Sequence, residues 1–308
     1  MLPRGAIATA VETPDRMNAA DGFEAFKGRV RGGVEELLGR AFAARPETVV
    51  RQASMYASLD GGHRWRAMAT LAAGAIFDPG AFDVCLPTAC GVELAHAASL
   101  ILDDLPSMDN AAVRRGRPCV HLAFPDWAVD MAPVFLVMMA YELSLNNGLA
   151  SHERRVAATV ALSRAGVRMI GGQESDVTQA AGGDVRQALL DRYRLKTGEG
   201  FAVAAKAGAI LCGASPRDTQ ALYECGMALG LAYQIADDVA DCLAPTHQTG
   251  KSANRDGAKL TSVDVFGLGG ARAQAERYRQ ESVAVLGGFG REAGLLRCLV
   301  AEACCLAR

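Results

Sequence analysis

The segment Gly91-Val-Glu-Leu-Ala-His-Ala-Ala-Ser-Leu-Ile-Leu-Asp-Asp104 decides the fold. Its apolar residues recur at helical spacing: Leu94, Ala97, Ala98 and Ile101, continued by Leu105, form one stripe. A second face carries Val92, His96, Ser99 and Asp103, at i, i+4, i+7 and i+11. The stripe requires neighbouring helices to cover it. The other face ends in carboxylates, which need water or a polar ligand. Pro106, within Leu105-Pro-Ser-Met-Asp109, disfavours a regular helix beyond this point, and the distortion is expected to turn Asp109 back toward Asp103.

Outside this segment the chain is rich in Ala, Leu, Met, Glu, Gln and Arg, all good helix formers. Strand-like alternation is almost absent. Short breaks at Asp78-Pro79-Gly80, Asn146-Asn147-Gly148, Gly182-Gly183-Asp184 and Ser215-Pro216-Arg217-Asp218 separate helix-length segments. Pro245 to Ser262 is polar and aperiodic, too long for a simple connector, and reads as a functional loop. The most apolar stretch, Ala128 to Leu145, contains Asp130, Pro133 and Glu142. Its uninterrupted part is too short to span a bilayer, so it reads as a buried core helix. No apolar leader stands at the N-terminus. The expectation is an all-α, single-domain helical bundle over residues 21–308, after a flexible tail at 1–20.

Half of the 308 residues are hydrophobic, enough for a large core. The 32 basic and 34 acidic side chains leave a formal charge of −2, which argues against a nucleic-acid partner and against disorder. Nine cysteines, at 85, 90, 119, 212, 225, 242, 298, 304 and 305, form no CxxC pair. That pattern fits reduced thiols in a cytoplasmic protein, and all nine read as small buried hydrophobes.

A second acidic helix face lies between Gln220 and Asp241. Tyr223, Met227, Gly230, Gln234, Asp237 and Asp241 share it, with Asp238 alongside. Each acidic cluster ends a face that is otherwise apolar or small, which suits a ligand with a greasy tail and a charged head. Carboxylates gathered in one place repel unless cations lie between them. Hard oxygen ligands select Mg²⁺ or Mn²⁺, and Mg²⁺ commonly bridges carboxylates to substrate phosphates. Basic residues flank both clusters: Gly61-Gly-His-Arg-Trp-Arg66, Val113-Arg-Arg-Gly-Arg-Pro118, Lys196-Thr197, Lys251 and Lys259. Taken singly, each feature has a plainer reading: solvated helix ends, a surface arginine pair, a core histidine at 96.

Together these residues resemble the trans-isoprenyl diphosphate synthases, most closely the bacterial geranylgeranyl diphosphate synthases. Asp103-Asp104 with Asp109, followed by Arg114-Arg-Gly-Arg-Pro118 and His121, is similar to the first aspartate-rich motif in its DDxxxxD form. Gly172-Gln173 with Asp176, then Lys196-Thr197, resemble the middle motifs. Tyr233-Gln-Ile-Ala-Asp-Asp-Val-Ala-Asp241 resembles the second, DDxxD, and Gly250-Lys251, Asn254, Asp256 and Lys259 the loop after it. The resemblance implies a helical bundle around a deep central cavity, usually in a homodimer. It implies ionisation of an allylic diphosphate, attack by the double bond of isopentenyl diphosphate on the allylic cation, and loss of a proton. It assigns metal binding to Asp103, Asp109 and Asp237, assisted by Asp104, Asp238 and Asp241, around about three Mg²⁺ ions. Arg114, Lys196 and Lys251 would hold the allylic diphosphate, with Lys259 nearby. Arg66, His96 and Arg115 would hold isopentenyl diphosphate, with His63 and Gln173 also in the substrate sites. Thr197 and Gln234 would place dipoles beside the cation. Small Ala98 and Ser99, about one turn before Asp103, would leave room for a C20 product.

Two positions depart from the pattern. His63 stands where the family has a Lys, which implies weaker and more pH-sensitive binding of isopentenyl diphosphate unless Arg64 substitutes for it. Asn110 replaces a further Asp. A C15 or longer-chain synthase, a non-catalytic synthase subunit and a terpene cyclase are the alternatives to an active C20 synthase.

Overall fold

Buried aliphatic stripes assemble the helices around one core. In a computed structural model, residues 19–59, 61–178, 184–243 and 260–305 are described. Twelve α-helices occur among them: α1 (Ala19–Ala43), α2 (Val49–Ser58), α3 (Trp65–Gly74), α4 (Ala81–Asp103), α5 (Val120–Ala123), α6 (Asp126–Leu145), α7 (His152–Thr178), α8 (Val185–Tyr193), α9 (Glu199–Leu211), α10 (Pro216–Leu243), α11 (Ser262–Leu286) and α12 (Gly294–Ala303). A π-helical turn, Arg194–Gly198, joins α8 to α9. The expected tail, residues 1–20, lies outside the described residues except for its last two, which begin α1.

Leu94, Ala97, Ala98 and Ile101 on α4 are all buried, as the periodicity requires. Helix α4 packs on α3, α6 and α9, and α9 packs in turn on α3, α7 and α10. The breaks at Asp78-Pro79-Gly80 and Asn146-Asn147-Gly148 fall between helices, Ser215-Pro216 marks the start of α10, and Gly182-Gly183 lie outside the described residues. Pro216 opens α10, where its missing N–H costs nothing, and the Ser215 hydroxyl caps the Asp218 amide at 3.1 Å.

Two expectations need correction. Helix α6 is not a wholly buried core helix: Trp127, Met131, Val134 and Met138, at i, i+4, i+7 and i+11, are exposed. Ala128, Val129, Ala132, Leu136 and Met139 face the core instead, because an all-round apolar sequence does not say which side is covered. Cys242 and Cys305 are exposed and Cys298 is half-buried, while the other six cysteines are buried. A two-residue antiparallel hairpin, β1 (Val113–Arg114) with β2 (Arg117–Pro118), interrupts the helical pattern.

The contact between α3 and α9 depends on Gly208. A Cβ there would lie 1.9 Å from the carbonyl oxygen of Thr70. Gly208→Ala should therefore lower stability by about 1–3 kcal/mol through overpacking. Gly39→Ala, where a Cβ meets nothing within 4 Å, should raise it slightly. Urea melts of the two variants check this; equal midpoints would refute the close-approach argument.

Candidate active site

The first acidic wall forms where α4 ends. Beyond Asp103 the backbone folds back, and the Asp109 amide donates to the Asp103 carbonyl at 2.9 Å. Asp103 and Asp109 both line the central cavity. Asp104 turns the other way. It is 2 % exposed and bound by both arms of Arg114, Nε to Oδ2 at 2.7 Å and Nη2 to Oδ1 at 2.6 Å. Burial opposes the charge of Arg114, but this bidentate bond outweighs it and raises the pKa.

The hairpin separates the two neighbouring arginines. Arg115 (φ 54°) and Gly116 (φ 75°) both have positive φ, the signature of a type I′ turn. Arg114 therefore reaches Asp104, while the Arg115 guanidinium lies on the Gly61-Gly62 turn. A Cβ at Gly62 (φ 85°) would meet Arg115 Nη2 at 2.8 Å, so only glycine leaves room there.

The opposite wall is α10. Gln234 and Asp237 line the cavity. The Thr197 hydroxyl donates to Gln234 Oε1 at 2.7 Å, and Gln234 Nε2 donates to Asp238 Oδ1 at 3.2 Å. Asp238 also accepts from the Tyr193 hydroxyl and from the Ser262 amide at 2.8 Å. Burial, reinforced by Asp238, pushes the Tyr193 phenol far up, so it remains a donor. Lys196 sits in the π-helical turn, 2.7 Å from Asp176 Oδ2 and 3.7 Å from Asp103 Oδ1. It thus spans from α7 to the first wall.

The third part is basic. His63 stacks on Trp65, ring centroids 5.2 Å apart at 15°. Arg66 lies over the Phe201 ring at 4.7 Å, and its buried Nε has no hydrogen-bond partner among the described residues. Arg64 is buried in a left-handed conformation (φ 59°). It binds Glu35, Glu93 (3.5 Å) and the Ser58 carbonyl (2.7 Å). Glu93 also accepts from the Ala67 amide at 3.0 Å at the start of α3. Arg64 is therefore a buried tie between α1, α3 and α4: both Nη groups are engaged by Glu35, Glu93 and Ser58, while its buried Nε has no partner among the described residues.

All three parts open onto one cavity of about 950 Å³. Of the residues singled out in the sequence, His63, Arg64, Arg66, His96, Ser99, Asp103, Asp109, Arg114, Arg115, Lys196, Thr197, Gln234 and Asp237 line it. Ala98, Asp104, Gln173, Asp238 and Asp241 are not on its wall. Ala98 is buried in the core, Gln173 donates to Met108 Sδ at 3.7 Å, and Asp241 is exposed further along α10. Lys251 and Lys259, with Asn254 and Asp256, lie outside the described residues. Arg31, Glu35, Glu93, Met169 and Tyr233 also line the cavity and were not singled out. A lone glutamate in the apolar run of α4 was a legible signal for Glu93; Arg31 had none.

No three His, Cys, Asp or Glu side chains among the described residues stand close enough to cage an ion. The donor set on the walls is nevertheless all carboxylate oxygen. That suits Mg²⁺ shared with a ligand's phosphate oxygens, since this ion takes one or two carboxylates and rarely an all-protein cage.

The sequence matches the polyprenyl synthetase family over residues 47–279. It is 32% identical over 281 residues to a chloroplastic geranylgeranyl pyrophosphate synthase of Arabidopsis thaliana, covering 88% of this chain and 78% of that one. It is 38% identical over 195 residues to the geranylgeranyl diphosphate synthase of Pseudescherichia vulneris, covering 63% and 62%. The fold superposes on an FPP/GFPP synthase from Zymomonas mobilis with a TM-score of 0.80 and 30% identity, covering 92% and 99%. The chain belongs to the polyprenyl synthetase family. It is a trans-prenyltransferase that elongates isoprenyl diphosphates.

The basic part of this synthetase carries its most perturbed imidazoles. Burial first, then Arg66 and Arg115, holds His96 well below 6.5. Burial first, then Arg31, holds His63 below 6.5 as well. The unfolded chain protonates both near their ordinary pKa of about 6.5. Below that pH it binds more protons than the folded chain, so folded stability falls with pH. The contribution is complete above about pH 6.5 and is lost as pH drops toward the folded pKa values. The wild-type Tm should therefore fall between about pH 7.5 and 5.5, and His96→Gln should fall less over the same interval. Parallel Tm–pH curves for the two proteins would contradict the buried neutral imidazole.

Proposed function

We propose that the enzyme condenses isopentenyl diphosphate with an allylic diphosphate to geranylgeranyl diphosphate, C20, in a Mg²⁺-dependent reaction. The observation that carries this reading is one cavity bounded by two opposed acidic walls and a separate basic part. Bound Mg²⁺ would supply positive charge to the departing pyrophosphate, from sites at Asp103 and Asp109 on one side and Asp237 on the other. About three ions per site suit this arrangement, with Mn²⁺ as a chemically equivalent substitute. Lys196 and Arg114 are placed to hold the allylic diphosphate. Arg66, Arg115 and His96, as a neutral donor, are placed to hold isopentenyl diphosphate. Leu100, Met169 and Tyr233 contribute apolar wall that keeps water from the reacting carbons. The Thr197 hydroxyl and Gln234 amide present fixed dipoles to developing positive charge. No side chain is required as a strong base, because the pyrophosphate leaving group can take the proton.

Asp104 and Asp238 act here as anchors, since their oxygens are already bound to protein donors. Asp103→Asn and Asp237→Asn should cut kcat by about 10²–10³ with Tm nearly unchanged. Asp104→Asn should lower Tm as well, because it breaks the ion pair that holds the half-buried Arg114 against the end of α4. Equal behaviour of Asp103 and Asp104 variants in a coupled pyrophosphate-release assay would refute this division. A chelator should abolish turnover and added Mg²⁺ should restore it.

Ser99 supports the C20 assignment. It lines the cavity one turn before Asp103, with its hydroxyl turned back to the His96 carbonyl at 2.8 Å. Ser99→Phe should shift the main product from C20 to C15 while elongation continues. Chromatography of dephosphorylated products from C5, C10 and C15 starters reads this directly, and an unchanged product length would place the limit elsewhere.

The exposed face of α6, with Val160, Val167 and Ile170 exposed on α7, supports a homodimer, since so much contiguous apolar surface is unusual on a monomer. Helices α4 and α6 are long and apolar enough to cross a membrane, with 61% and 44% of their apolar windows buried in the bundle. We read both as helices of a non-spanning protein, and the nine unpaired thiols support a cytoplasmic location. Met138→Glu should convert the dimer to a monomer in light scattering.

A further inference from the structure

We propose that Arg31, on the first helix, is a diphosphate ligand of the isopentenyl diphosphate subsite, forming a three-guanidinium cradle with Arg66 and Arg115. This deepens the functional reading above and rests on it.

The argument starts from charge. Arg31, His63, Arg66, His96 and Arg115 line the same part of one cavity. Two carboxylates, Glu35 and Glu93, also reach it, and both are bound to the buried Arg64. Arg64 with its two glutamates leaves one negative charge, which offsets only part of the charge of Arg31, Arg66 and Arg115 and leaves this part of the cavity positive. His63 occupies the expected lysine position, but it is an imidazole stacked flat on Trp65, in a place where burial and neighbouring arginines disfavour its proton. A diphosphate monoester presents several charged oxygens, so a third guanidinium adds a further charge-assisted contact to those of Arg66 and Arg115.

Geometry then selects Arg31. Val30 and Val34 are fully buried and fix the roll of α1 against the bundle. Glu35, one turn after Arg31 on the same face, is tied to Arg64 beneath the cavity. The Arg31 side chain is exposed and lines the cavity beside His63, close enough for its charge to lower that imidazole's pKa. It forms no salt bridge with another described residue. Arg29, two residues earlier, instead stacks on Phe82 at 3.8 Å and does not line the cavity.

The test compares Arg31→Gln, Arg31→Lys and, as a control on the same helix, Arg29→Gln. Arg31→Gln should raise KM for isopentenyl diphosphate by about tenfold to a hundredfold, the effect of losing a charged hydrogen bond. The allylic KM and the Tm should stay within about twofold and about 1 °C of wild type, as for an ordinary surface substitution. Arg31→Lys should recover part of the loss, and Arg29→Gln should leave both KM values unchanged. Calorimetric titration of isopentenyl diphosphate into each protein reads the same difference without turnover. Turnover failure in the wild type would therefore strike the functional reading, whereas equal titration curves for wild type and Arg31→Gln would overturn this inference. A parallel rise in both KM values with a lowered Tm would also overturn it, because that is the mark of a structural residue.

Discussion

The ion pair between Asp104 and Arg114 is the interaction on which the site's geometry rests. A carboxylate at 2 % exposure is tolerable only with a close, well-aligned partner. Arg114 supplies that partner from the hairpin, so the pair fixes the hairpin against the end of α4. Once the hairpin is fixed, the turn at Arg115 and Gly116 delivers the next guanidinium onto the Gly61-Gly62 turn. One buried bond therefore sets the distance between an acidic wall and the basic part of the cavity.

The second wall repeats the logic with different partners. Asp237 faces the cavity while Asp238 is held by Tyr193, Gln234 and the Ser262 amide. Those bonds tie α10 to α8 and α11, and Thr197 extends the tie into the π-helical turn. Such turns often sit at functional sites; here the turn carries Lys196 between Asp176 and Asp103. Behind this wall, Arg168 and Tyr223 both bond the buried Glu199, joining α7, α9 and α10. Each adjacent pair of aspartates thus divides its work, one facing the cavity and the other anchoring the wall.

That division explains what was legible in the sequence. Consecutive residues on a helix point about 100° apart, so two neighbouring aspartates are presented differently to one cavity. The helical face through His96 and Ser99 contains Asp103 but not Asp104, whereas Asp237 and Asp238 stand at i+3 and i+4 from Gln234 and both lie on its side of α10. Periodicity therefore separates the first pair, while the second is separated only by the hydrogen bonds that hold Asp238, and the motif resemblance groups all four as ligands. Helix boundaries were legible because Gly, Pro and capping Ser residues mark them locally. The covered side of α6 was not, since its apolar residues run all round. Arg31 was silent for another reason: it belongs to no local pattern and reaches the site only because Val30 and Val34 dock α1.

The cavity also gathers like charges, and the chain limits their repulsion by local means. In the basic part burial and neighbouring arginines disfavour protonation of both imidazoles, and the two glutamates paired with Arg64 leave one negative charge that offsets part of the remaining arginines. On the acidic walls, Arg114 neutralises Asp104, and Lys196 lies between Asp176 and Asp103. What remains unbalanced is negative at the helix ends and positive beside the Gly61-Gly62 turn. Each region gains free energy from a ligand of opposite sign. A diphosphate accompanied by divalent cations carries both signs, so a single ligand class satisfies walls that would otherwise require two. The opposed charges are thus a constraint on the fold and a specification of its substrate.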